Sequence, residues 1–177
     1  MTSDTRDKLA LQIKLIANEA AKRLADGEIL SSTVAGASSD SAYLLELLAF
    51  ELLLKATLQV NAIKPVPSHS YSKLFTSLPC EVQERVRDVA RSRVGPEVDF
   101  SGLHGLLDTW GRNFVNLRYP YEKYRGLTED EYRARGDAWL QKGGNENAAD
   151  FVYYPEQLYA LTHALRIEVD TWLRDQG

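Results

Sequence analysis

Three observations predict an all-α fold, a bundle of about five to seven helices. Apolar residues recur at spacings of three and four through most of the chain. Proline, glycine and cap-forming residues fall between these periodic stretches. Only one brief stretch, DFVYYP, has strand character, and it lies in an irregular excursion near residues 119–155. At 177 residues the chain is expected to form a single domain, 1–177.

In the first helix, Leu9, Ile13, Ile16, Ala20 and Leu24 make one face, and Gly27 is expected to end it. STVAGASSD reads as a small-residue loop in which Ser39 or Asp40 caps the next helix. That helix, 41–60, is apolar almost all round. Only Glu46, Glu51, Lys55 and Gln59 interrupt it, so it is either central or part of an interface. Glu51 and Lys55 have the favourable i,i+4 order for an ion pair of structural role.

KPVPSHS breaks the chain and YSKLFTSL forms a short helix. Pro79 opens a charge-rich surface helix. Its Arg85, Arg87, Arg91 and Arg93 read as a solvated face or a weak basic patch. A helix from near Ser101 carries the stripe Leu103, Leu106, Leu107, Trp110, Phe114 and Leu117, and stops at Pro120. Thr128 and Glu131 have capping-box spacing, and GGNEN reads as a turn. DFVYYP is expected to pair with residues 119–124 in a small hairpin. Pro155 starts a last helix with the stripe Leu158, Leu161, Leu165, Val169 and Trp172. Trp110, Trp139 and Trp172 are all expected in the core.

The composition, 44% hydrophobic and 26% charged, is that of an ordinary globular domain. A net charge of -4 argues against a broadly basic, nucleic-acid-coating surface but leaves room for a local basic groove. Cys80, the single cysteine, excludes an intramolecular disulfide and a cysteine zinc site, and is expected to be inert. No phosphate-binding loop, dinucleotide fingerprint, HExxH or nucleophile elbow is present, and the three histidines lack metal-ligand spacing. No cofactor or metal is expected. With no signal-type or membrane-spanning stretch, the expected location is the cytoplasm.

Two stretches together carry a resemblance. One is ELLLKATLQV followed by KPVPSHSYSKLFTSL, within residues 51–78, with a Glu and a Lys in an apolar helix and His-Ser before a short helix. The other is the later helix with Arg112 and Asn113. The chain resembles HEPN domains, all-α domains of prokaryotic toxins and defence proteins, over residues 5–118 and the last helix. Residues 119–155 have no counterpart in the resemblance. It implies a homodimer, here through the apolar helix 41–60, or pairing with a nucleotidyltransferase-type or other protein partner. Active HEPN proteins cleave RNA without a metal. Their signature is an Arg, often followed by a polar residue, and a His after four to six intervening residues. The His moves protons and the Arg holds phosphate.

Here Arg112 and Asn113 match the first half, but Leu117, Arg118 and Tyr119 stand where the His belongs. Arginine stays protonated at any working pH and cannot shuttle protons. Tyrosine, with a reference pKa of about 10, is a poor base at neutrality. Two readings stay open. In the first the chain is an interaction module without nuclease activity that binds RNA or a protein. Its phosphate ligands are then Arg112, Asn113 and Arg118. In the second it is a metal-free endoribonuclease with a variant site drawn from Arg112, Arg118, Tyr119 and His104. His104, Asp108 and Arg112 share one stripe off the apolar face. His69 is expected to act as a cap or an interhelix hydrogen bond, and His163 to be incidental.

Overall fold

The computed structural model of the chain describes residues 3–33, 39–65, 67–145 and 148–176. Among these there are seven α-helices and no strand: α1 (Ser3–Thr33), α2 (Asp40–Val60), α3 (Tyr71–Thr76), α4 (Cys80–Val94), α5 (Leu103–Asn116), α6 (Glu129–Gln141) and α7 (Pro155–Arg174). A 3-10 helix, Pro120–Tyr124, joins α5 to α6. No helix among the described residues is long and apolar enough to cross a membrane.

α2 is the hub, packed against α1, α3, α5 and α7, while α4 packs on α7. From Ala42 to Val60 no residue of α2 is exposed. Central burial therefore accounts for its apolar surface, and the dimer face expected on helix 41–60 is covered by the chain's own helices. Ser39 Oγ accepts the Ala42 N–H at 3.3 Å and caps this helix. Of the small-residue loop before it, residues 34–38 lie outside the described part.

α1 does not end at Gly27; it runs on to Thr33. A Cβ on Gly27 would sit 3.3 Å from the Ala42 carbonyl oxygen of α2. The glycine thus permits a close crossing of two helices, which offsets its low helix propensity.

The stripe of α5 is buried apart from half-buried Leu106, with Leu107 and Trp110 fully enclosed. The Phe50 ring meets Tyr71 and Trp110 edge-on, with centroids at 5.5 and 5.3 Å. The Tyr71 hydroxyl donates to the Leu47 carbonyl at 3.1 Å, fastening α3 to α2. α4 keeps Arg85, Arg91 and Arg93 outside, while Arg87 is half-buried over the Phe75 ring. Arg85 pairs with Glu168 of α7 at 2.9 Å, Arg91 with Asp88, and Arg93 lies over Tyr159.

Of the three tryptophans only Trp110 belongs to the buried core. Trp172 is half-buried against it. Trp139 stands on α6, half-exposed, with Gly144 against its ring and Nε1 donating to the Asn145 carbonyl. Its helix has no buried residue, so nothing there can enclose a large ring.

The excursion also departs from the expected hairpin. Residues 119–124 turn into the 3-10 helix, and residues 150–154 form a strap held by side chains. The Tyr153 carbonyl accepts from the Tyr43 hydroxyl and from Trp110 Nε1, both at 2.9 Å. The Val152 carbonyl accepts from Asn113 Nδ2 at 2.8 Å. With these acceptors taken by α2 and α5, a backbone ladder is not needed to satisfy the strap. The two segments still meet, through Tyr124 and Lys123, both of which reach Asp150. The capping box at Thr128 and Glu131 starts α6 as read from the sequence.

Candidate functional site

The stretch RNFVNLRYPYE closes α5, and its residues divide sharply by exposure. Arg112 is exposed and donates to Thr109 Oγ1 at 2.9 Å. Asn113 is only 4% exposed, and its amide is engaged by Val152 and Tyr43. It therefore ties the strap to α5 and has no surface to offer a phosphate. Phe114 and Leu117 point into the core. Arg118 is exposed. Its Nε donates back to the Phe114 carbonyl at 3.0 Å, and its guanidinium carbon lies 4.9 Å from the Phe114 ring centre. Tyr119, 54% exposed, meets Tyr121 edge-on at 6.3 Å.

The same Phe114 ring receives His69 from the segment before α3, with centroids 5.5 Å apart. Gly111 sets this approach, because a Cβ there would lie 3.3 Å from the His69 carbonyl oxygen. His69 Nδ1 lies 2.8 Å from Glu51 Oε2 and 3.1 Å from Oε1. Glu51 is almost fully buried in α2, and Lys55 Nζ meets it at 2.6 Å. The His69 side chain is 58% exposed. A carboxylate beside Nδ1 favours a proton on that nitrogen, so in the neutral imidazole Nε2 is the acceptor. Beneath this cluster, burial first and then the nearby Glu51 push the Tyr71 phenol far above its ordinary value, so it stays neutral.

Of the residues named from sequence, Arg112 near the end of α5 and Arg118 and Tyr119 just after it are each exposed, Arg112 on Thr109 and Arg118 on Phe114. His104 is exposed farther along α5. The stripe His104, Asp108, Arg112 is not a linked array. Asp108 accepts from Ser72 of α3 and Arg112 donates to Thr109. His163 sits on α7 among Leu24, Glu28 and Arg93. Burial, and then the charges of Arg93 and Arg166, lower its pKa. Cys80 is free and exposed.

From sequence Glu51 pairs with Lys55, and His69 is a cap or an interhelix hydrogen bond, with nothing joining the two. The available signal was Gly111 in WGRN, a glycine mid-helix that announces a close neighbour. Among the described residues no group of three or more His, Cys, Asp or Glu side chains could hold a metal ion.

The fold and this edge define a class: an all-α bundle whose central helix orients a histidine beside an arginine-bearing helix end. Comparison with known protein families, with curated proteins and with solved structures gives no match to this chain.

Proposed function

We propose that the chain is a HEPN-like module that binds single-stranded RNA at the edge formed by Arg112, Arg118, His69 and Tyr119, acting in the cytoplasm within a toxin–antitoxin or defence-type system. The observation that carries this reading is Arg118. Its guanidinium lies over the Phe114 ring beside His69, and among the described residues no carboxylate pairs with it. Arg85 and Arg135, by contrast, are each tied to an acid. An arginine that is pre-positioned but uncompensated suits a phosphate diester. Exposed Tyr119 and Tyr121 next to it suit unstacked bases.

Anisotropy of a labelled single-stranded RNA tests this. Wild type binds, and Arg118→Ala weakens binding at least about tenfold. Equal binding by the two proteins would sink the reading. HEPN-like modules commonly act as pairs, so a homodimer or a nucleotidyltransferase-type partner belongs to the proposal. Because α2 is enclosed, such a pair would form through another surface. Light scattering reads the mass.

Glu51 and His69 favour a second reading, metal-free cleavage. His69 Nε2 would take the proton of an RNA 2′-hydroxyl, whose oxygen attacks phosphorus while the P–O5′ bond breaks and the departing 5′-oxygen takes a proton from solvent water. A 2′,3′-cyclic phosphate remains. Cleavage in chelator by wild type, lost in His69→Ala and retained in His104→Ala, supports it. No cleavage by wild type leaves binding alone.

A further inference from the structure

A cleft of about 510 Å³ lies between α1 and α7, and none of its residues belongs to the Phe114 edge. α7 lines it with Tyr159, Thr162 and Arg166, at i, i+3 and i+7 on one helix face. α1 lines it with Leu24 and Glu28, at i and i+4. Glu46 of α2 enters beside Gly27, where a Cβ would lie 3.8 Å from Glu46 Cγ. Arg93 of α4 reaches in over the Tyr159 ring, 5.2 Å from its centre.

Polar groups in this cleft lack partners. Thr162 is only 6% exposed, yet among the described residues its hydroxyl oxygen has no hydrogen bond. An unpaired buried hydroxyl costs stability, and an occupant of the cleft would satisfy it. Glu46 is half-buried, and burial pushes its carboxyl above the ordinary range. Among the described residues neither Glu46 nor Glu28 has an ion-pair or hydrogen-bond partner. Arg93 donates to the neutral Tyr159 hydroxyl at 3.0 Å and holds no acid. Arg166 approaches Asp170 only to 3.9 Å, beyond hydrogen-bond reach. Arg23 and Arg85, by contrast, each hold an acid directly.

The charges identify the class of occupant. Two acids and two arginines face one cleft without closing on each other. Burial, and then the charges of Arg93 and Arg166, lower the pKa of His163, so this ring adds no charge at neutral pH. A plain cation would meet both arginines, and a plain anion both carboxylates. A molecule that carries both charges complements all four. Leu24 and Leu158 offer it an apolar wall. From Tyr159 to Arg166 the face of α7 runs about 10 Å, room for an amino acid or a dipeptide.

We propose that this cleft binds a small zwitterion of the amino-acid class. Its ammonium meets Glu46 and the Thr162 hydroxyl, its carboxylate meets Arg166, and its apolar side chain lies against Leu24 and Leu158. Arg166 takes the carboxylate because Tyr159 already engages Arg93. The source is a free amino acid or a dipeptide. The proposal is independent of RNA binding at the Phe114 edge.

Titration calorimetry with L-leucine and with glycyl-L-leucine tests it. Binding of leucine identifies a free amino acid, and binding of glycyl-leucine alone identifies a dipeptide. Two analogues of the probe that binds then assign the charges. One has hydrogen in place of the ammonium, and the other an amide in place of the carboxylate. Each binds wild type about tenfold or more weakly, the usual worth of one charged hydrogen bond. Glu46→Gln erases the preference for the ammonium and keeps that for the carboxylate, and Arg166→Gln does the reverse. A merely structural effect of either change would not split the two preferences. Thr162→Val, of the same shape, raises the melting temperature and weakens binding. Failure of both probes to bind, or preferences unchanged in Glu46→Gln and Arg166→Gln, overturns the proposal.

Discussion

His69 Nδ1 lies 2.8 Å from Glu51 Oε2, across 18 residues of sequence. The bond joins a buried carboxylate of the central helix to an imidazole at the surface. Lys55, at 2.6 Å, supplies the second partner. A buried carboxylate is tolerated only when so satisfied.

Removing the carboxylate is therefore expected to be felt more than removing the histidine. Glu51→Ala loses two charged hydrogen bonds and leaves a gap in α2, for a loss of about 2 kcal/mol in urea denaturation. His69→Ala costs less, because Lys55 still meets Glu51 and the His69 side chain is already 58% exposed. The reverse ranking would show that the pair is not organised around Glu51.

Asn113 separates a structural from a binding role by the same logic. Asn113→Ala removes the donors to the Val152 carbonyl and the Tyr43 hydroxyl. Stability is expected to fall by about 1–2 kcal/mol, with faster hydrogen exchange in the strap. The salt dependence of RNA binding is expected not to change. A changed salt slope with unchanged stability would return Asn113 to the phosphate site.

Helices and their caps were legible because periodicity and cap chemistry are local. The stripe of α5, the Ser39 cap and the capping box of α6 all stand where the sequence put them. What escaped was set by contacts distant in sequence. Gly27 resembles a helix stop until Ala42 is seen against it, and DFVYYP resembles a strand until Tyr43, Trp110 and Asn113 take its carbonyls. Asn113 reads as polar and exposed because a wheel places it off the stripe's centre, yet the strap covers it.

Three glycines of α1 and α5, Gly27, Gly105 and Gly111, should respond differently to the loss of glycine. A Cβ on Gly27 or Gly111 lies 3.3 Å from a backbone oxygen of a neighbouring segment, while Gly105 faces open space. Gly27→Val and Gly111→Val are expected to destabilise by roughly 1–3 kcal/mol through overpacking. Gly105→Ala is expected to stabilise α5 by up to about 1 kcal/mol. Thermal melts of the three variants check this, and a stabilised Gly27→Val would refute the close crossing of α1 and α2.

The Tyr124–Asp150 bond, 2.9 Å long, is bounded by pH on both sides. The folded-state pKa of Asp150 is lowered. Its contribution is present above the ordinary carboxylate value of about 3.9 and is lost as pH falls through the folded value. Burial, followed by the bond to Asp150, pushes Tyr124 up to about 12. Its contribution is present below the ordinary value of about 10 and is lost as pH rises from there through about 12. Attachment of the excursion, followed by tryptophan fluorescence, should therefore hold across neutral pH and fail at both extremes. Asp150→Asn removes the acid limb and Tyr124→Phe the alkaline one. If both limbs persist in both variants, the bond does not hold the excursion.

Salt dependence distinguishes a phosphate-binding arginine from one that only packs. Each phosphate neutralised on a single strand contributes about 0.7 to the slope of log affinity against log salt. Arg118 is the better placed ligand, because its Nε bond to the Phe114 carbonyl fixes the side chain while the far end of the guanidinium stays exposed. Arg118→Ala should lower the slope by about 0.7, and Arg118→Lys should keep most of the slope while losing the two-pronged hydrogen bonding that only a guanidinium offers. Arg112→Ala should act in the same direction, because Thr109, its partner, is neutral and leaves the charge uncompensated. The double variant should lose the sum of the two, since the residues contact different phosphates if both bind one strand. A slope unchanged in the double variant would exclude this helix end from RNA contact, whatever the total affinity.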